Sequence, residues 1–211
     1  MSRYIHDLIE QGEHQQLDFK FEISDAKKIA RTLSAFANTD GGKLLVGVKD
    51  NGKIAGIRSE EEYYMIEAAA QMYCKPEIGF EVKKWTILGK TVLEFDILKI
   101  EKRPCLARDD GEKWLAYLRV GDQNLLANRV MLKVWQKEKR KKGILLKYSE
   151  AEEKLLNYLE SNEHITISKY CRIARLKLLQ AEEILSNLIV LDVIDIRTSE
   201  KGALYSLIPE V

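Results

Sequence analysis

The run Asn38-Thr39-Asp40-Gly41-Gly42 restricts the fold more than any other feature. Before it, Ile29, Leu33, Phe36 and Ala37 recur at helical spacing, behind Ser24 or Asp25, either of which can cap a helix. After it, KLLVGVKD is nearly all apolar, as in a strand buried on both faces. A chain that passes from helical period to buried strand across these breakers must pack one element closely on the other. Glycines after a helix, rather than before one, suit a helix stop better than a phosphate-binding nest. Asn51-Gly52 then marks a two-residue hairpin with KIAGI as the returning strand. These signals predict an α+β class with a mixed sheet.

Residues 3–11 read as a short amphipathic helix, and Leu17, Phe19 and Phe21 alternate with Asp18 and Lys20 at strand spacing. A helix is expected over 59–73, strands near 78–85, 91–98 and 114–119, and a helix over 127–142 whose inward face is Val130, Val134 and Trp135. Ser149 and Glu152 form a capping box for a further helix, and a short one follows through Ala174. LLQAEEILSNLIV is the third of this set, with Leu179, Ile184, Leu185 and Leu188 at core spacing. VIDIR and ALYSL close the chain as a hairpin. Three helices and a hairpin are the order of a winged helix-turn-helix. The expected organisation is a domain over 1–130, a basic linker helix over 131–147 and a small winged helix-like domain over 148–211.

The 34 basic and 33 acidic side chains nearly cancel, but not evenly. Residues 131–148 carry seven basic and one acidic side chain, whereas residues 149–211 carry seven basic and eleven acidic. Such a basic block is either a solvated helix face or a patch that touches phosphates. No apolar run reaches the length of a membrane span. Three scattered cysteines give neither a disulfide framework nor a zinc site, which fits a cytoplasmic protein. Three scattered histidines and the lack of a G-x-S-x-G elbow argue against zinc and triad chemistry. Gly89-Lys90-Thr91 opens a strand and lacks the upstream glycine of a phosphate loop.

Glu13, Asp18 and Asp50 are three carboxylates within one compact stretch that also holds Lys20. Asp18 points away from Leu17 and Phe19, and Asp50 closes the next strand. If those strands are neighbours, the trio can hold Mg²⁺ or Mn²⁺ through oxygen ligands and activate water against a phosphodiester. The alternative is ordinary carboxylates at strand ends.

GEHQQLDFKFE followed by IARTLSAFANTDGGKLLVGVKDNGKIAGI resembles the Schlafen AlbA-type domain, and KRPCLA and AYLRVGDQNLLAN resemble its closing segment. The resemblance covers about residues 10–130. It implies an α+β fold that binds nucleic acid, commonly joined in bacteria to a C-terminal winged helix and often paired as a homodimer. Vertebrate relatives that cleave transfer RNA use three carboxylates in a metal-dependent centre, and Glu13, Asp18 and Asp50 match that set by motif position. Asp18 stands where the usual motif has Glu.

The preferred reading is therefore a cytoplasmic nucleic-acid-binding protein, a DNA-binding transcriptional regulator, with no membrane partner. Arg172, Arg175 and Lys177 lie where a recognition helix begins, and Lys20, Lys137, Lys139, Arg140, Lys141 and Lys142 are candidate phosphate contacts. The acidic balance of residues 149–211 weighs against it. The runner-up is a Mg²⁺- or Mn²⁺-dependent nuclease with Glu13, Asp18 and Asp50 as catalytic and metal-binding residues. The third reading is a protein-binding adaptor.

Overall fold

The computed structural model describes residues 2–139 and 148–209. It divides into two compact units, 1–127 and 128–211. The first contains α1 (Ser2–Gln11), β1 (Leu17–Lys20), α2 (Ala26–Asn38), β2 (Gly42–Val46), α3 (Glu61–Met72), β3 (Cys74–Lys75), β4 (Phe80–Ile87), β5 (Lys90–Ile97), β6 (Leu106–Arg108), β7 (Trp114–Val120) and β8 (Gln123–Leu126). The second contains α4 (Arg129–Glu138), α5 (Glu150–Ser161), α6 (Ile167–Ala174), α7 (Leu178–Val190), β9 (Ile194–Ser199) and β10 (Gly202–Leu207). The expected α+β class with a mixed sheet is what forms. Among the described residues no helix is long and apolar enough to cross a membrane.

In the first unit, β1 runs parallel to β2, and β5 and β4 follow antiparallel in the order β1-β2-β5-β4. A second sheet is antiparallel throughout, β3-β6-β7-β8. Helix α2, capped by the Asp25 carboxylate on the Lys27 and Lys28 amides, contributes to the same core as strands of both sheets. The sequence predicts one buried face, yet nine of its thirteen residues are buried, including Thr32, Ser34 and Asn38. Small side chains at Ala30, Ser34, Ala35 and Ala37 allow that close approach, and the buried polar groups are satisfied. Ser34 Oγ donates to Cys105 O at 2.9 Å. Asn38 Nδ2 donates to Cys105 O and Tyr117 O at 2.8 and 2.9 Å, and its Oδ1 accepts from Cys105 N at 2.7 Å.

The breaker run ends α2 as a stop, not as an anion nest. The Gly41 amide donates to Phe36 O at 2.9 Å and the Lys43 amide to Gln16 O at 2.8 Å, so neither is left for a ligand. The hairpin expected at Asn51-Gly52 is smaller than the sequence suggests. Only Val48 and Ile54 bridge, because the Ala55 and Gly56 amides both donate to Gly47 O and fold the chain back before a strand can extend.

Helix α1 covers the opposite face of the first sheet, with Ile5, Leu17, Phe19, Leu45 and Val92 in a separate core. It is anchored by Glu94, a buried carboxylate that accepts from Tyr4 Oη at 2.8 Å, Lys43 Nζ at 2.9 Å and Trp85 Nε1 at 2.7 Å. Burial alone would raise this carboxyl; the three donors hold it below its usual value.

In the second unit α5, α6 and α7 pack around Leu155, Leu159, Tyr170, Ala181, Leu185 and Leu188, and β9 pairs antiparallel with β10. Ile165 bridges to Tyr205, which ties the start of α6 to the hairpin. The capping box expected at Ser149 and Glu152 is present. The basic stretch is not a free linker where it is described: α4 belongs to this unit. Lys133 Nζ lies 2.7 Å from Glu183 Oε2, and Lys137 Nζ lies 2.7 Å from Glu183 Oε1 on α7.

The Gly42 position yields a stability test. A Cβ there would fall 2.5 Å from the buried Phe36 ring, whereas one at Gly79 would meet nothing within 4 Å. Gly42→Ala is expected to lower unfolding free energy by about 1–3 kcal/mol as an overpacked core does. Gly79→Ala should stay within about 0.5 kcal/mol. Urea midpoints at unchanged m-value check both.

Candidate functional site

Strand β1 carries the first candidate cluster. Its pairing with β2 sets Asp18 opposite Leu44, on the face that α2 covers, so Asp18 leaves the Leu17–Phe19 face only to enter another interior. It is 2% exposed. A carboxylate so placed needs cations and donors of its own. Arg119, next to last in β7 and itself 2% exposed, supplies one: its Nη2 lies 3.2 Å from Asp18 Oδ1. The same guanidinium donates to Leu17 O at 3.0 Å and His14 O at 3.3 Å, reaches Asn124 Oδ1 at 3.2 Å, and sits 5.1 Å from the centre of the Phe36 ring. Lys20 supplies the other, with Nζ 2.8 Å from Asp18 Oδ2 and 3.9 Å from Glu13 Oε1. Glu13 Oε1 also accepts the Phe19 amide at 2.9 Å.

Glu13 is pushed up to about 7, first by burial and then by the adjacent Asp18 carboxylate, against the opposing pull of the Phe19 amide and Lys20. Glu13 is thus the group of this cluster that takes up a proton near neutrality.

Asp50 does not join them. It is exposed in the turn after β2, and among the described residues no group of three or more His, Cys, Asp or Glu side chains is placed to hold a metal ion. The expectation of a convergent acidic trio is therefore corrected. The donor set also does not fit a hard cation. Asp18 has one oxygen on Arg119 and the other on Lys20, and the Lys20 ammonium lies where a bridging cation would have to sit. Lys20 is likewise engaged internally, donating also to Phe19 O at 2.7 Å, and is not a surface contact for phosphate.

The second candidate surface lies in the second unit. Lys137 is withdrawn from it: its Nζ donates to Ser186 Oγ and Asn187 Oδ1 at 2.6 Å each, in addition to the Glu183 pair. That corrects its reading as a phosphate contact. Lys139 is exposed just beyond α4, and Arg140, Lys141 and Lys142 lie outside the described residues. Arg172, Arg175 and Lys177 are exposed around the turn from α6 to α7, with Arg175 in the left-handed region at φ 53°. The acids of α7 point elsewhere: Glu182 is buried and Glu183 is taken by Lys133 and Lys137. Leu179, expected in the core, is instead 64% exposed beside Leu178 at 50%. Ala181, Leu185 and Leu188 fill the interior in its place.

Arg119 was not legible as a site residue from spacing, but AYLRV carried a signal: a charge inside a buried strand demands a buried counter-charge. Two expected outcomes follow. Arg119→Met, which leaves Asp18 facing only Lys20, should cost about 3–5 kcal/mol of unfolding free energy by urea titration. The raised Glu13 carboxyl contributes stability that is fully present below its unfolded value of 4.5 and lost as pH rises through about 7. Wild-type stability should fall between these limits more steeply than that of Glu13→Gln, compared as urea midpoints across the range.

The family described as Schlafen, AlbA_2 matches residues 13–128. No curated protein matched the chain. Among solved structures, the DIP2311 protein from Corynebacterium diphtheriae is 22% identical with a TM-score of 0.45, over 59% of this chain and 28% of that one. The chain thus spans little more than a quarter of that protein. The N-terminal domain of a Nitrosomonas europaea protein described as related to the ATP-dependent DNA helicase RecG is 19% identical with a TM-score of 0.41, over 68% and 95%. With more than half of its length, residues 13–128, matched by one family, the chain belongs to the Schlafen AlbA_2 family.

Proposed function

We propose that this chain is a DNA-binding regulator whose second unit is a winged helix-turn-helix, with α7 as the recognition helix. One observation carries the reading: charge in the second unit is segregated rather than simply acidic. From Arg172 to Ala181 the sequence holds three basic and no acidic residues. The acids next along α7 are buried or neutralised by α4. The overall acidic balance therefore does not describe the face that a helix-turn-helix presents to a major groove. Glu150, the acid on α5 that feels Arg175, is held low mainly by its own partner Lys154. Membership of the AlbA_2 family supports a nucleic-acid role, and pairing of two copies would set two such faces at half-site spacing.

A metal-dependent nuclease is not the reading the residues favour, because the Asp18 oxygens already serve Arg119 and Lys20.

The test replaces Arg172, Arg175 and Lys177 together by Gln in the full chain. Duplex DNA affinity should fall at least about tenfold, and the slope of log K against log salt should shrink by roughly 3, near 0.9 per lost phosphate contact. Fluorescence anisotropy over a salt series measures both. An unchanged slope would remove α6–α7 from the interface.

A further inference from the structure

The proposed interface contains two side chains that phosphate binding does not explain. Leu178 and Leu179, in the first turn of α7, are 50% and 64% exposed. In the chain they follow Arg172, Arg175 and Lys177 and precede Ala181, the first residue of α7 in the core. The core of the second unit is complete without them, since Ala181, Leu185 and Leu188 supply the inward face of α7. Nor do they support the helix end. The first turn is closed by the Gln180 carboxamide, whose Oε1 accepts the Lys177 amide at 3.0 Å. Two large apolar side chains adjacent in one helical turn offer a surface that a partner stabilises by removing it from water.

The charge around them selects that partner. A triply basic rim, where the neighbouring acid Glu150 is paired with Lys154, favours a polyanion, and the apolar centre favours a polyanion with methyl groups at the floor of its groove. Duplex DNA offers this in the major groove, where each thymine projects a C5 methyl beside the purine and pyrimidine hydrogen-bonding edges. Phosphates on the groove walls would meet Arg172, Arg175 and Lys177 while the leucines reach the base edges. Resting on the reading of α7 as the recognition helix, we infer that Leu178 and Leu179 are specificity residues that read thymine methyl groups. The chain therefore prefers A·T-containing duplex through direct apolar contact.

Removing the methyl alone tests this. The full-length protein is titrated with an alternating dA–dT duplex and with the same duplex carrying deoxyuridine for every thymidine. Leu178→Ser/Leu179→Ser is titrated alongside, its folding checked by circular dichroism; both side chains are exposed, so the variant should fold. Burial of one methyl-sized group corresponds to about three- to fourfold in affinity, so two contacted methyls give about tenfold preference for the thymidine duplex. The double variant should bind both duplexes alike, with the wild-type salt slope. Equal wild-type affinity for the two duplexes would overturn the inference and leave the DNA-binding reading intact. No binding to either duplex would overturn both. Loss of a self-associated species in the double variant, seen by sedimentation with no change in duplex discrimination, would reassign the leucines to a contact between copies.

Discussion

The buried pair of Asp18 and Arg119 is the interaction on which the first unit depends. It links an edge strand of one sheet to the centre of the other, two segments separated by about half the chain. Neither charge can be left alone at 2% exposure without a penalty of several kcal/mol. The guanidinium therefore does more than balance a carboxylate. Its further donors add second hydrogen bonds to the carbonyls of His14 and Leu17, which already accept each other's amides, and its face packs on Phe36 of α2. The close fit of α2 between the sheets follows from this arrangement together with Asn38, which bonds the amide and carbonyl of Cys105, just before β6, and the Tyr117 carbonyl of β7.

The same pair shapes the chemistry available to the cluster. Lys20 and Arg119 compensate Asp18, and Glu13 is left as the group that takes up a proton near neutrality. Elsewhere in this unit basic side chains are matched in the same way: Lys27 with Glu112, Arg31 with Asp110, and Lys43 with Glu94 and Asp96. In the second unit the matching is selective. Helix α4 spends Lys133 and Lys137 on Glu183, which turns one side of α7 into an internal joint and leaves the turn before it positively charged. Internal neutralisation on one side thus creates the charged face on the other.

Much of this was legible in the sequence. The helix before Gly41-Gly42, the strands β4, β5 and β7, the Ser149 capping box and the closing hairpin all follow from period and punctuation. The short strands β3, β6 and β8 did not, because two to four residues carry too little alternation to be seen without their partners. Burial of Asp18 was missed because alternation on β1 separates two faces but does not say that both are covered. Lys137 looked like part of a basic run since nothing in the sequence reveals that Glu183 lies one helix away. Spacing puts Leu179 in the core with Leu185 and Leu188, but the helical repeat back from those two falls on Ala181, two positions later, and leaves Leu179 outside.

On the proposed function, the Glu13–Asp18 cluster is an internally compensated structural centre and nucleic acid is bound without being cut. The most direct measurement incubates the full-length protein with labelled duplex DNA, single-stranded DNA and transfer RNA, in Mn²⁺ and separately in EDTA. Each sample is then run on paired native and denaturing gels. The account predicts a duplex shift that persists in EDTA, with every strand intact. Mn²⁺-dependent shortening that disappears in Asp18→Asn, with folding retained, would contradict it.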